Sequence, residues 1–557
     1  MGQWNPDMKT INSNKHLLFT LLFLLILITV GFAVRVINLG RPGLGTDESF
    51  HVFAAKSMIE TGEPELPSGY VYKRALLYTK LVAISYQIFG INEFAARLPS
   101  AVFGALTIIL VFFVGKTFFG SATGVLSAIL FTFSPFAIVW ARESRMYTMF
   151  QFFYLFGTMA FYKGFENYRA ENQVDLNPKK NRPILRDSFF KLDSWGLNLP
   201  WLLFSIVLFY ISFKLQTLTV LFGASFVAYL ILMGILAVYA DKSLAKTKNK
   251  YFFILLATGI TGLVGIIISP NFLEFVKNHL FFAPNWAAGM SFNPLYYLTF
   301  LGSKAVFPVG VLFLIGSIQI IVRRHKPGIY LLVCVIIPLL ILTFIPSNVR
   351  GTRYIYHIFP IIILIAGYSI SLIWTNESKL ISEWISKRKI SRFSYFITGI
   401  VVSFLLVAMT APWINYIYRF AFDSYHEEAQ LGTPYRNWKD ACKYVSVHRK
   451  PEDIIITTEA LTASFYGCND IQYVLTKNPN RQSRFLKDVE DISDLSELKM
   501  IISKHQSGWI VIDSSRFNTK RYIKKSIRDF LTKNLPSQII DPHGTILVFN
   551  WNRGSLR

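Results

Sequence analysis

Long apolar runs separated by short polar loops fill the first three quarters of the chain. The first run, Leu17 to Val34, is long enough at about 1.5 Å per residue to cross a bilayer. Further runs at about 98–115, 122–140, 147–162, 197–213, 217–239, 251–269, 305–322, 328–345, 354–374 and 393–412 bring the expectation to about eleven transmembrane helices. Between the first two runs lies a polar and amphipathic outer loop, 35–97. Within it, Ser49–Glu60 reads as a helix. Ala75–Gly90 is apolar but short and carries Lys80, which predicts a helix lying on the membrane interface. After Pro412 the pattern changes. Short strands at Asp453–Thr458, Trp509–Asp513 and Ile546–Trp551 alternate with helical spacing at 437–449, 495–506 and 519–533. That alternation predicts a small soluble α/β domain over 413–557, following a membrane domain over 1–412.

Composition supports this class: 52% of the 557 residues are hydrophobic, 16% are charged and the mean hydropathy is +0.40. The balance is that of a polytopic α-helical membrane protein. The formal charge of +24 does not point to nucleic acid, because the basic residues cluster in short loops between apolar runs. Loops 163–198, 241–250, 323–326 and 379–392 hold 7, 4, 3 and 5 Lys/Arg, whereas the opposite short loops hold 2, 1, 2 and 2. The positive-inside rule makes the richer set cytoplasmic. The N-terminus is then inside, and Asp47, Glu48, Arg142, Arg145, Arg353 and the C-terminal domain share the outer side. No small-residue cleavage site follows the first run, so it reads as a retained span. Of three cysteines, Cys334 lies in an apolar run. Cys442 and Cys468 fall in the outer tail, where disulfides can persist. Whether they join depends on their Cα separation, and the sequence leaves that open.

The stretch Arg41-Pro42-Gly43-Leu44-Gly45-Thr46-Asp47-Glu48-Ser49-Phe50-His51 follows the first span directly. Its two adjacent carboxylates read either as acids favoured by a helix start or as a general base at the membrane surface. Three basic groups share that side. Tyr72-Lys73-Arg74 precedes the interfacial helix and suits lipid headgroups or a phosphate. Arg142-Glu143-Ser144-Arg145-Met146-Tyr147 stands at the mouth of two spans, with two arginines three apart that suit bidentate phosphate binding or interfacial anchoring. Arg350-Gly351-Thr352-Arg353-Tyr354 repeats that placement. His51 stands four residues after Asp47, on the same helical face. A hydrogen-bonded histidine is favoured there over a metal ligand. Lys214 and Gln216 mark a short outer turn. Phe281-Phe282-Ala283-Pro284-Asn285-Trp286, in the loop 270–303, reads as a lid over a membrane cavity or as an aromatic belt. The sequon at Asn376 falls on the cytoplasmic side.

An outward cavity with carboxylates and arginines suits attack by an acceptor hydroxyl on a sugar whose leaving group is a lipid phosphate. The order of motifs resembles the GT-C superfamily of membrane glycosyltransferases, especially the family 39-type branch with protein O-mannosyltransferases and the lipid A aminoarabinose transferase. Gly45-Thr-Asp-Glu-Ser49 and Ile88-Phe-Gly-Ile-Asn-Glu-Phe-Ala-Ala-Arg-Leu-Pro-Ser100 carry it first. Gly115-Lys-Thr-Phe-Phe-Gly120, Ser134-Pro-Phe, Ala141-Arg-Glu-Ser-Arg-Met-Tyr147 and Arg353-Tyr354 before Pro360 follow in the family's order. The likeness is strongest over 35–165.

The resemblance implies an integral protein of a bacterial or archaeal plasma membrane. It would use a polyprenyl-phosphate sugar donor outside the cytoplasm, with inversion at the sugar carbon, and a glycan, lipid or protein acceptor. It places the general base on Asp47, with Glu48 beside it, and donor phosphate near Arg142, Arg145 and Arg353. Glu143, Tyr147 and Tyr354 belong to the same substrate-binding motifs. Where many relatives have Lys- or His-Pro-Pro-Leu, this chain has Lys73-Arg74-Ala75-Leu76-Leu77, so acceptor geometry is expected to differ. Some relatives use a divalent metal and others none. The alternatives to a transferase are a lipid or glycolipid transporter, or an assembly subunit with an outer interaction domain. Against the transporter, the polar groups gather at span ends and no inverted repeat is visible.

Overall fold

The computed structural model describes residues 6–166, 196–239, 245–268, 274, 293–344, 351–386, 411–419, 436–477, 483–519, 522–539 and 544–552. The helices in chain order are α1 (Pro6–Val36), α2 (Thr46–Glu60), α3 (Leu76–Phe89), α4 (Glu93–Phe119), α5 (Ser121–Phe133), α6 (Pro135–Ala141) and α7 (Tyr147–Phe165). They continue with α8 (Leu199–Leu215), α9 (Leu221–Tyr239), α10 (Ala245–Ile268), α11 (Tyr296–Leu301), α12 (Phe307–Val322), α13 (Lys326–Phe344) and α14 (Phe359–Ser386). Ten of the predicted apolar runs fall on these helices. Most of the last, 393–410, lies outside the described residues, as do Phe281–Trp286 and Arg350. On length and composition alone, four described segments can cross a bilayer, or five if α5 and α6 count as one bent span. Among the described residues, at least four candidate crossings thus stand against the eleven expected. The chain is a polytopic membrane protein.

The chain groups into two compact units, the first of residues 1–33, 103–138 and 147–416, the second of 34–102, 139–146 and 417–557. In the first unit the helices turn large apolar side chains outward, among them Leu203, Ile206, Ile318 and Ile321, each more than half exposed. In lipid that face needs no covering. Inner faces are built instead on small residues that let backbones approach. A Cβ on Gly115 would lie 2.8 Å from the Gly124 Cα, and one on Gly367 would collide with the Ser127 Oγ. The predicted span 122–140 is one helix pair bent by 60°. Pro135 offers no N–H and pushes Ser134 to extended geometry (φ −62°, ψ 120°), so the helix breaks there.

The second unit joins α2 and α3 to the C-terminal chain. Its sheet has strands β1 (Ile454–Thr457), β2 (Ile471–Leu475), β3 (Glu490–Ile492), β4 (Ser507–Asp513), β5 (Ser537–Ile539) and β6 (Ile546–Asn552), in the order β3-β2-β1-β4-β6-β5. The first four run parallel, and β6 pairs antiparallel with both β4 and β5. A sheet that is largely parallel needs both faces covered. Helices α15 (Trp438–His448) and α16 (Ala460–Phe465) cover Ile455, Val474, Trp509 and Val511. On the other face α17 (Leu495–Lys504), α18 (Ser514–Asn518) and α19 (Lys525–Asn534) cover Ile454, Ile456, Ile510 and Ile512. The alternate residues of β1 and β4 thus serve opposite cores. Cys442 and Cys468 form a disulfide, with Cα atoms 5.1 Å apart, that ties α15 to the segment before β2.

Candidate active site

The site is built where the chain leaves α1 and turns into α2. Gly45 is the N-cap, in extended conformation (φ −74°, ψ 154°). Its N–H donates to Glu48 Oε2 at 2.7 Å, the reciprocal half of a capping box. Arg97, near the start of α4, is buried and engages the same carboxylate twice, Nε to Oε1 and Nη2 to Oε2, both at 2.8 Å. The Ser144 N–H donates to Oε1 at 2.6 Å. Four donors therefore fill the four acceptor positions of Glu48. The remaining Arg97 N–H groups donate to the carbonyls of Leu39, Pro42 and Gly43 at 2.8–3.0 Å. All five guanidinium donors are used, and one buried ion pair fixes the loop 39–45. Arg97 stands within the motif Ile88–Ser100, which by itself assigns it no role. The signal was there: a lone arginine in an apolar stretch must be paired if it is buried.

Asp47 differs from its neighbour. Its side chain is 36% exposed and its Oδ2 lies 3.8 Å from Nη2 of the buried Arg145. Arg145 Nη1 also donates to the Asp47 carbonyl at 2.6 Å. Arg145 is held in turn through its own carbonyl, which accepts from Ser100 Oγ at 3.0 Å. Ser100 pairs with the Tyr78 hydroxyl at 2.8 Å. Asp47 and Arg145, 98 residues apart in sequence, are thus brought together.

The other predicted residues have distinct places. Arg142 donates to the carbonyls of Val34, Arg35, Ile37 and Asn38 at 2.7–3.3 Å, closing the C-terminal end of α1. The two arginines of the Arg142–Arg145 motif therefore serve separate partners. Glu143 is buried. Lys73 and Arg74 are exposed, just before Ala75 turns the chain through a left-handed conformation (φ 49°) into α3. Tyr147, Arg353 and Tyr354 belong to the first unit. There Tyr147 is buried at the start of α7, and the Arg353 guanidinium stacks over the Tyr354 ring with its centre 5.2 Å from the centroid.

His51, one turn after Asp47, is buried and pairs through Nδ1 with Thr79 Oγ1 at 2.9 Å. The rings of Tyr72 and Tyr78 meet it edge-on at 5.2 and 5.0 Å. Burial pushes its pKa well below the ordinary histidine value, the Arg145 and Arg74 charges add to the fall, and Asp47 opposes it. The ring is neutral at physiological pH. Among the described residues no three His, Cys, Asp or Glu side chains come together as a metal site.

The C-terminal domain reaches this same stretch. The Leu44 N–H donates to the Tyr466 hydroxyl at 2.6 Å, and Ser49 Oγ pairs with Thr462 Oγ1 at 2.8 Å. A Cβ on Gly43 would lie 2.6 Å from the Arg436 carbonyl oxygen, so only glycine fits there. These contacts span more than 390 residues of sequence, and no local pattern announces them.

Residues 73–173 match the family described as dolichyl-phosphate-mannose-protein mannosyltransferase. A protein of Aquifex aeolicus, described only as uncharacterized, is 31% identical over 159 residues, which are 27% of this chain and 30% of that one. Among solved structures, ArnT from Cupriavidus metallidurans, bound to undecaprenyl phosphate, superposes with a TM-score of 0.56 at 12% identity, over 94% of this chain and 97% of that one. The archaeal oligosaccharyltransferase AglB from Archaeoglobus fulgidus, in complex with an inhibitory peptide and a dolichol-phosphate, gives 0.57 at 12%, over 95% and 74%. These matches define the class: a polytopic membrane protein with a C-terminal α/β domain. In fold the chain is similar to ArnT and AglB, and its residues 73–173 match the mannosyltransferase family.

Proposed function

We propose that the chain is an inverting glycosyltransferase that moves a sugar from a polyprenyl-phosphate donor to an acceptor hydroxyl at the outer membrane face. The observation that carries this reading is the division between two neighbouring carboxylates. Glu48 is buried with every acceptor position filled, whereas Asp47 is open to solvent beside a buried arginine. Asp47 is the general base. It takes the acceptor O–H proton as that oxygen bonds to the anomeric carbon from the face opposite the phosphate. The bond from carbon to phosphate oxygen breaks with its electron pair on the phosphate, and the lipid phosphate leaves. Arg145 fixes the Asp47 backbone and side chain, and the exposed Lys73 and Arg74 supply charge for the leaving group. The matched family, and the lipid phosphates bound to the solved ArnT and AglB, support the donor class. The richer basic loops support an inside N-terminus and an outside C-terminal domain. Purified protein given radiolabelled polyprenyl-phosphate sugars and cell-envelope acceptors should transfer label. No transfer from any such donor, by a protein that binds polyprenyl phosphate, would overturn the reading.

A further inference from the structure

The turn that carries Asp47 is held by the C-terminal domain as well as by its own neighbours. Tyr466, just beyond the end of α16, accepts the Leu44 N–H at 2.6 Å, three residues before Asp47. Thr462, within α16, shares a hydrogen bond with Ser49 at 2.8 Å, two residues after Asp47, and both side chains are buried. The Ser49 hydroxyl also lies 3.5 Å from the carbonyl of Gly45, so this contact reaches the N-cap of α2. Asp47 therefore sits between two points fixed by one short stretch more than 400 residues away in sequence.

These hydrogen bonds are placed to aim a side chain rather than to dock a domain. Docking is supplied by other groups. Phe53 meets Phe465 edge-on with ring centroids 6.0 Å apart, Phe50 meets Phe485 at 4.9 Å, and Lys439 Nζ lies 3.4 Å from Glu93 Oε1. Tyr466 and Thr462 instead bond the chain on either side of the carboxylate. They are themselves firmly held. The Ala463 carbonyl accepts the N–H groups of both Tyr466 and Cys468, at 3.1 and 3.2 Å, and Cys468 is joined to Cys442 of α15. We propose that Tyr466 and Thr462 are positioning residues for the base: they hold the turn 44–49 so that Asp47 meets the acceptor hydroxyl, and the C-terminal domain forms part of the active site. The inference rests on the reading of Asp47 as the base. Arg145 holds the Asp47 carbonyl and Arg97 closes the loop through Glu48, so the domain supplies a third restraint on the same few residues. Loosening it costs rate rather than donor affinity, because a base slightly out of place still leaves the donor site whole.

The test is steady-state kinetics of sugar transfer by the full-length protein. Tyr466→Phe keeps the ring and removes the acceptor of the Leu44 N–H, so kcat should fall about 10-fold, with KM for the lipid donor and Tm close to wild type. Thr462→Val and Ser49→Ala should each cost about 3-fold in kcat, and the double variant no more than either, because all three remove one hydrogen bond. Tyr473→Phe, in β2 of the same domain, should leave kcat unchanged. A second readout needs no activity: hydrogen–deuterium exchange of the peptide spanning residues 44–49 should quicken in Tyr466→Phe. Unchanged kcat in Tyr466→Phe and Thr462→Val, a fall in kcat without faster exchange, or an equal fall in Tyr473→Phe overturns the positioning role. If the wild-type protein transfers no sugar while Tyr466→Phe still quickens exchange, the proposed function fails and the hold of the domain on the turn stands.

Discussion

Asp47 and Glu48 are chain neighbours with the same chemical group, yet the fold treats them as opposites. Successive residues at a helix start point about 100° apart. One direction leads into the loop that Arg97 closes, and there Glu48 meets four hydrogen-bond donors and no solvent. The other leads toward Arg145, where the Asp47 side chain stays partly exposed. A carboxylate whose acceptor positions are all filled holds structure. One that is oriented but incompletely enclosed can accept a proton. The longer side chain does the building and the shorter one is left open, a division that neither residue type dictates.

The comparison breaks most sharply at the buried pair. Arg97→Ala or Glu48→Gln leaves an uncompensated charge or an opposed donor in a closed site. Each should cost about 3–5 kcal/mol of stability in the unit that contains it. Thermal unfolding of the solubilised protein should show a large fall in Tm, and an unchanged Tm would return Glu48 to the candidates for catalysis. Asp47→Asn is the complementary test. It keeps the size and the Arg145 contact to the backbone but removes the proton acceptor, so transfer should fall by ~100-fold or more with Tm little changed. If Asp47→Asn retained activity in a well-folded protein, the division drawn here would collapse.

Arg145 sharpens the same contrast at smaller cost. Arg145→Ala frees the Asp47 carbonyl and side chain together, and a base displaced by about 1 Å loses on the order of 10–100-fold. The loss should fall on kcat if Arg145 orients the base. If Arg145 instead holds donor phosphate, as its motif suggested, KM for the lipid donor should rise with it. Steady-state kinetics of Arg145→Ala against Arg145→Lys separates the two.

The sequence made much of this visible, and the physical reason differs from part to part. Apolar runs long enough for a bilayer are strong, local signals, and the helices fall on them. The bend at Ser134–Pro135 was equally local, yet the apolar run passed straight over it. In the C-terminal chain, β1, β4 and β6 were legible as strongly apolar segments. Strands β2, β3 and β5 were not, because Glu490–Ile492 and Ser537–Ile539 are three residues long and Ile471–Leu475 carries Gln and Tyr. In the site, Asp47 and Arg145 were readable as charges at span mouths, but their pairing was not. Arg142 looked like a second phosphate ligand because spacing says nothing about the carbonyls at the end of α1. The hooks from Thr462, Tyr466 and Arg436 onto Gly43–Ser49 depend on tertiary approach alone.

The smallest expected effect concerns His51, which shares the helical face of Asp47 and would be the obvious rival as a base. Its environment argues against that. Nδ1 is taken by Thr79, the Tyr72 and Tyr78 rings meet the imidazole edge-on, and burial with two nearby arginines holds the ring neutral. Its folded pKa lies below the unfolded value of about 6.5, so the folded state binds fewer protons in that range. The sign follows: its contribution to stability is fully present above about pH 6.5 and declines as pH falls toward the folded pKa. Activity should therefore show no limb near pH 6.5 from this residue, while stability softens gently below it. His51→Gln should leave the acid limb of transfer where Asp47 sets it and lower Tm modestly through lost packing against Tyr72 and Tyr78. A limb near pH 6.5 that vanished in His51→Gln would move the base from the open carboxylate to the buried ring.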